Sequence, residues 1–293
     1  MQKQGDLFTW RMLRTGENFG TALAYFREHM GNLLLPAPTV SQPLQNSQPE
    51  VPPPPAWQMR GQAFVQYACD QLFRQAGEPG LLELTRRNLL TPTLITWQIG
   101  YNPAWIKVNP ESWGLPRRDA RHFIWLPKGI VIPCFVEGVL WYIKVRVFGE
   151  DDLPVKKDRD RAKYMQPAGG KGALYGADRL PQRPGLLLAE SELDALLAWQ
   201  EGRDLLDVAT LGGVGKRLSS RWLPYLIPYH KIFLAYDMDQ AGVRGANLLS
   251  QMSARLVPWS PPFGDLIDYH REGGHLRGWM ACMVTEMERE DLL

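Results

Sequence analysis

The segment FLAYDMDQAG, Phe233 to Gly242, carries two carboxylates, Asp237 and Asp239, one residue apart. An apolar run leads into them and a helical pattern follows. One aspartate at such a junction caps the next helix. Two repel each other, and a divalent cation is the simplest relief. Glu190 closes a second apolar run, GLLLAE, and Asp265 and Asp268 stand in GDLIDY, after a third run. An all-oxygen set of this kind suits Mg2+ or Mn2+ and not zinc. Any one of these acids alone reads more simply as a helix cap. Their recurrence at matching places favours a metal.

The elements that must position them follow from hydrophobic periodicity. From Pro184 onward, GLLLAE reads as a strand and SELDALLAWQEG as a helix. LLDVATL is a strand, LGG (Leu211–Gly213) a tight turn, and KRLSSRWLPYLIP a helix. KIFLAYD is a strand, AGVRGANLLSQMSARL a helix and LVPWS a last short strand. Alternating strands and helices imply a parallel sheet with right-handed crossovers. Ligands of such sheets gather at the carboxyl ends of the strands. That places Glu190, Asp237, Asp239, Asp265 and Asp268 on one rim. Asp237 and Asp239 stand one apart on the ending third strand, so alternation points both to one side, facing Glu190 across adjacent strands.

Upstream the pattern differs. Residues 5–30 have helical spacing, and the stretch beyond them is rich in Pro, Gln and Ser, the composition of an extended linker. GQAFVQYACDQLFRQAG reads as an amphipathic helix, and short helices then lead into a strand. KGIVIPCFVEGVLWYIKVRVFG is a hairpin turning at Glu137 and Gly138. The expected organisation is a helical segment over 1–32, a linker over 33–58, a mixed α+β lobe over 59–183, the parallel α/β sheet over 184–275, and a C-terminal helix over 276–293.

Lys156, Lys157, Arg159, Arg161, Lys163 and Lys171 crowd the stretch before the sheet. Such a run is ordinarily a solvated loop; ahead of a metal site, and with Arg146, it suits a track for phosphates. Bulk charge does not announce nucleic acid, since the net charge is only +2. The composition, 45% hydrophobic and 22% charged, is that of a globular chain. Cys69, Cys134 and Cys282 form no metal-type pair. No apolar run approaches the roughly 20 residues of a membrane span, and the first residues lack a secretory core. A cytoplasmic location is expected, with no membrane partner. GGVGK (Gly212–Lys216) lacks the spacing of a phosphate loop. The tryptophans are read as core, and no histidine is assigned to metal.

Residues Pro184 to about Gly274 resemble the Toprim domain of bacterial-type primases, topoisomerases and some nucleases. The motifs are AESELDAL, LGG, DMDQAG and GDLIDY. One departure is Ser191, where the family usually has glycine; its hydroxyl can cap the next helix or reach a metal's water shell. WQIGYNP, GIVIPCFVEGVLWYIKVR and KYMQPAGGKGALYG look like the polymerising core of bacterial replicative primases, in family order. The N-terminal residues are similar to the tail of the primase zinc ribbon, just past its metal-binding cysteines. Zinc is therefore expected only with a ribbon upstream of this sequence.

The resemblance implies RNA-primer synthesis on a single-stranded DNA template from ribonucleoside triphosphates, with Mg2+ or Mn2+ and a replicative helicase as candidate partner. It makes Glu190 the catalytic carboxylate, as ligand or proton acceptor, and Asp237 and Asp239 metal ligands. Asp265 and Asp268 are supplementary, although Asp268 can instead stabilise its loop. Arg146, Arg161, Lys163 and Lys171 become contacts to nucleotide or nucleic acid. The alternatives are a catalytically weak single-strand-binding accessory module and a Toprim nuclease. A topoisomerase would need a strand-passage domain that this length does not hold.

Overall fold

A computed structural model of the chain describes Arg11, residues 14–17, Thr21, and residues 51–120, 122–148, 163–213, 216 and 218–290. The chain divides into two compact units, Met1–Gln48 and Pro49–Leu293. In the first, Arg11, Arg14, Thr15 and Thr21 are helical, and the Arg11 guanidinium pairs with Glu17. Gly16, at φ of 72°, and Glu17 are not helical, which breaks the helix expected over 5–30; its other residues, and the linker as far as residue 50, lie outside the described residues. So do Lys156, Lys157, Arg159 and Arg161.

The second unit opens with helix α1, Pro55–Leu72, inside the segment expected to be linker. Pro55 occupies the first helical position, where its missing N–H is no loss. One stripe of α1, including Trp57, Phe64, Val65 and Ala68, is buried. Short helices α2, Glu78–Arg86, and α3, Thr91–Thr96, lead into strand β1, Gly100–Asn102. Strands β2, Ile106–Val108, and β3, Ile124–Leu126, form a separate antiparallel ribbon. Then come β4, Gly129–Val136, β5, Val139–Arg146, and β6, Tyr164–Met165. These last three and β1 make an antiparallel sheet in the order β1-β4-β5-β6. The β4–β5 turn places Glu137 and Gly138 at φ of 55° and 73°, the left-handed pair that a two-residue hairpin requires.

The second sheet is built of β7, Gly185–Ala189, β8, Asp207–Thr210, β9, Lys231–Ala235, and β10, Leu256–Pro258. Its order is β10-β9-β7-β8 and every pair is parallel. All five residues of β7 are buried, as befits a strand covered on both faces. The helices are α4, Glu192–Gly202, α5, Leu223–Leu226, α6, Gln240–Ser250, α7, Leu266–Arg271, and α8, Leu276–Glu290. The fold is thus an α/β sheet flanked by helices and preceded by a mixed α+β lobe. One apolar cluster joins the two sheets: Ile130, Ile132 and Trp141 share it with Leu187, Phe233 and Met280.

The helix expected across KRLSSRWLPYLIP is mostly absent. A 3-10 turn at Ser220–Trp222 runs into the four-residue α5. Pro224 and Pro228 explain the short length, since proline suits only the first turn and biases the residue before it away from helix.

Candidate active site

Glu190 directly follows β7, and Asp237 follows β9 after Tyr236. The two strands are neighbours, so both acids sit at adjacent carboxyl ends. The Asp237 backbone N–H donates to Glu190 Oε2 at 3.1 Å. Strand β9 ends at Ala235, so strand alternation does not carry through Asp239 as expected. The chain turns, and Asp239 becomes the N-cap of α6, accepting from the Gly242 N–H at 2.7 Å. A methyl group at Gly242 would lie 2.2 Å from the Asp237 carbonyl oxygen. The glycine that ends DMDQAG is therefore there to let helix and strand tip meet.

Two more helices start at this rim in the same way. Ser191 caps α4, its hydroxyl bonded to Asp194, which accounts for serine at that place. Asp265 caps α7, accepting from the Asp268 N–H at 2.6 Å. Asp268 pairs with Arg271 at 3.0 Å, and 45% of its side chain is exposed. Helix N-termini carry partial positive charge, which favours acids beside them. Capping uses one carboxylate oxygen of Asp239 and one of Asp265, leaving each a second.

The charges at the rim press on one another. Burial, then Asp194, Glu190, Asp265 and Asp239, push the Asp237 carboxyl up to about 8. Burial raises Glu190 as well; the Asp237 N–H opposes that rise, while Asp239 and Asp265 add to it. Asp194, which sequence reasoning did not single out, belongs to the same set. It is 4% exposed, and burial and the Asp265 charge push it up to about 7, against the Ser191 hydroxyl and the Ile267 N–H. Its Oδ1 is buried without a hydrogen-bond partner. The available signal was its place in AESELDAL, on a helix whose first turns are buried and, apart from Glu192 and Asp194, apolar.

Beside the rim lies a second unforeseen group. Glu192 is 1% exposed. It accepts from Lys144 Nζ at 2.7 Å and from the Tyr142 hydroxyl at 2.9 Å. Lys144 also donates to the Gly212 carbonyl at 3.1 Å. Gly212 has φ of 81°, and a Cβ there would stand 2.8 Å from Glu192 Oε1. The LGG turn thus needs glycine both for its backbone and for room. This group borders a cavity of about 160 Å³ that also meets Tyr164 and Lys216.

Of the expected phosphate contacts, Arg146 is held inside, 3.2 Å from the Tyr164 hydroxyl and 3.6 Å from Glu83. Lys163 and Lys171 are exposed. Arg161 lies outside the described residues.

Among the described residues, no group of three or more His, Cys, Asp or Glu side chains is arranged so that it could hold a metal ion. The carboxylates are close enough to raise one another's proton affinity, so they respond to added positive charge. The orphaned Asp194 oxygen and the all-oxygen donor set are of the chemical kind that suits a hard divalent cation. No described helix is long and apolar enough to cross a membrane.

Residues 187–257 match the Toprim-like family. No curated protein matches the chain. Among solved structures, the chain is similar to the RNA polymerase domain of Mycobacterium tuberculosis primase DnaG in complex with double-stranded DNA. The TM-score is 0.62 at 16% identity, over 77% of this chain and 80% of that one. It is similar to a DnaG primase catalytic domain bound to single-stranded DNA, with TM-score 0.59, 18% identity, and 77% and 80% covered. It is also similar to the zinc-binding and RNA polymerase domains of the Aquifex aeolicus primase, with TM-score 0.58, 16% identity, and 95% and 70% covered. The chain carries a Toprim-like domain set within the fold of a bacterial DnaG primase catalytic core.

Proposed function

We propose that the chain makes short RNA primers on single-stranded DNA by metal-dependent nucleotidyl transfer. The observation that carries this reading is the gathering of carboxylates at one rim of the parallel sheet: Glu190 and Asp237 at adjacent strand ends, with the Asp237 N–H on Glu190, and the helix-capping Asp239 and Asp265. The shared fold with DnaG cores, one of them bound to single-stranded DNA, supports it.

In this reading Asp237, Asp239 and Asp194 hold Mg2+ or Mn2+, with Asp265 and Asp268 supplementary. A bound divalent ion supplies neutralisation of triphosphate charge, which lowers the barrier to attack by a 3′-hydroxyl. Glu190 stands beside Asp237 as ligand or proton acceptor, fixed in place by the Asp237 N–H. The exposed Lys163 and Lys171 bind phosphates, a role proposed also for Arg161 from its sequence position. Arg146, engaged by Tyr164 and Glu83, orients that strand more than it binds. The substrates are ribonucleoside triphosphates, and a replicative helicase is the partner such an enzyme serves.

The test is incubation with single-stranded template, ribonucleotides and Mg2+ or Mn2+, with labelled DNA in the same tube. Short RNA products that Asp237→Ala abolishes support primer synthesis. Cleaved DNA without RNA supports nuclease chemistry at the same acids. DNA binding with neither product marks an accessory module.

A further inference from the structure

We infer that the outer face of the β2–β3 ribbon is a stacking platform for single-stranded nucleic acid. Along β3 the burial alternates: Ile124 and Leu126 face the core, while Phe123 and Trp125 are 38% and 43% exposed. In the ribbon's register Lys107 lies opposite Trp125. Its ammonium sits 4.7 Å from the centre of the Trp125 ring and 5.9 Å from that of Phe123. The Arg117 guanidinium lies 5.6 Å from the centre of the Phe123 ring. Trp105, half-buried, meets Trp125 edge to face at 6.0 Å. The ribbon is anchored from behind, because the buried Asn102 amide donates to the Leu126 and Pro127 carbonyls.

An exposed sheet face normally carries polar residues, and two large rings still 38% and 43% exposed beside their neighbouring cations are a liability unless something further covers them. The chemistry of the face selects the occupant. Rings and cations alternate across it, as flat bases and phosphates alternate along a nucleic-acid strand. Residues 104–128 hold five basic side chains, Lys107, Arg117, Arg118, Arg121 and Lys128, against the acidic Glu111 and Asp119. An apolar protein partner has no use for that excess, and a duplex hides the base faces that the rings would meet. A single strand uses both features.

This names where the template proposed above is held, and it rests on that reading for its purpose, though not for its measurement. Binding of a fluorescein-labelled oligothymidylate is followed by anisotropy without nucleotides or metal, so failure of RNA synthesis leaves the result standing. Phe123→Ala/Trp125→Ala should weaken binding about tenfold or more, the loss expected of a base stack. Trp125→Tyr, which keeps an aromatic face, should restore most of it. Lys107→Gln should lower the slope of log affinity against log salt by about 0.7, one phosphate contact on a single strand. If the alanine pair disturbs folding, the Trp125→Tyr and Lys107→Gln results decide alone. Affinity within twofold of wild type in the alanine pair, with an unchanged salt slope in Lys107→Gln, overturns the proposal. So does a wild-type dimer that the alanine pair dissolves without loss of affinity, since the face then joins copies of this chain.

Discussion

Replacing Lys144 by methionine isolates the energetics of the group behind the LGG turn. The methionine keeps most of the apolar stem and removes the ammonium. Glu192, 1% exposed, is then left with the Tyr142 hydroxyl as its remaining partner. The Gly212 carbonyl loses its donor, and the Tyr164 ring loses the cation 4.7 Å from its centre. Breaking a buried ion pair from one side costs about 3–5 kcal/mol, mostly for the charge left behind. The electrostatic loss is therefore set at about 3–5 kcal/mol. At about 2–4 °C per kcal/mol for a chain of this size, Tm falls roughly 10 °C. Adding Glu192→Gln removes the stranded charge and keeps an acceptor for Tyr142. The double variant should therefore recover most of the loss. Urea melts of the two single variants and the double variant at pH 7 give the coupling energy. A Lys144→Met penalty below about 1 kcal/mol, the range of exposed pairs, would refute the reasoning.

The remaining predictions concern the rim. Asp194 and Asp237 have folded pKa values raised to about 7 and about 8 from an ordinary 3.8. Their contribution to stability is fully present below about pH 4 and is lost as pH rises through 7 to 8. In EDTA the Tm should fall between pH 5.5 and 8.5, with a flatter profile in Asp194→Asn/Asp237→Asn; a wild-type Tm that is level or rises would contradict the coupling. Mn2+ should raise the wild-type Tm, since a ligand at a hundredfold its dissociation constant adds about 2.7 kcal/mol. Asp237→Asn should shrink that response and raise the metal-free Tm at pH 8; equal metal shifts in both proteins would make the acids plain caps.

The parallel sheet was legible because its strands are unbroken apolar runs, each closed by a turn and a helix. Glu190 and Asp237 could be placed on one rim from that grammar alone. Asp239 shows where it stops: a strand tip and a helix cap look alike in DMDQAG, and only the end of β9 at Ala235 decides. The helix expected over KRLSSRWLPYLIP does not form at that length because Pro224 and Pro228 override its apolar spacing. Asp194 and Glu192 were hidden for a different reason. A polar residue on a helix reads as solvent-facing unless the helix is buried on all sides, and α4 is buried by its neighbours. Lys144 is equally silent in sequence, since its partner lies 48 residues away across two sheets. The ring-and-cation ladder of the β2–β3 ribbon also depends on register, which pairs Lys107 with Trp125.

The most direct test of the central claim is template-dependent ribonucleotide incorporation as a function of Mn2+, in wild type, Asp194→Asn and Asp237→Asn. Each protein is first shown to melt cooperatively. The account predicts short RNA from the wild type, rising with Mn2+ to saturation, and a loss of about a hundredfold or more in either variant, the scale on which removing one transition-state charge stabiliser acts. Primer synthesis at the wild-type rate and with the wild-type Mn2+ dependence in both variants would contradict it.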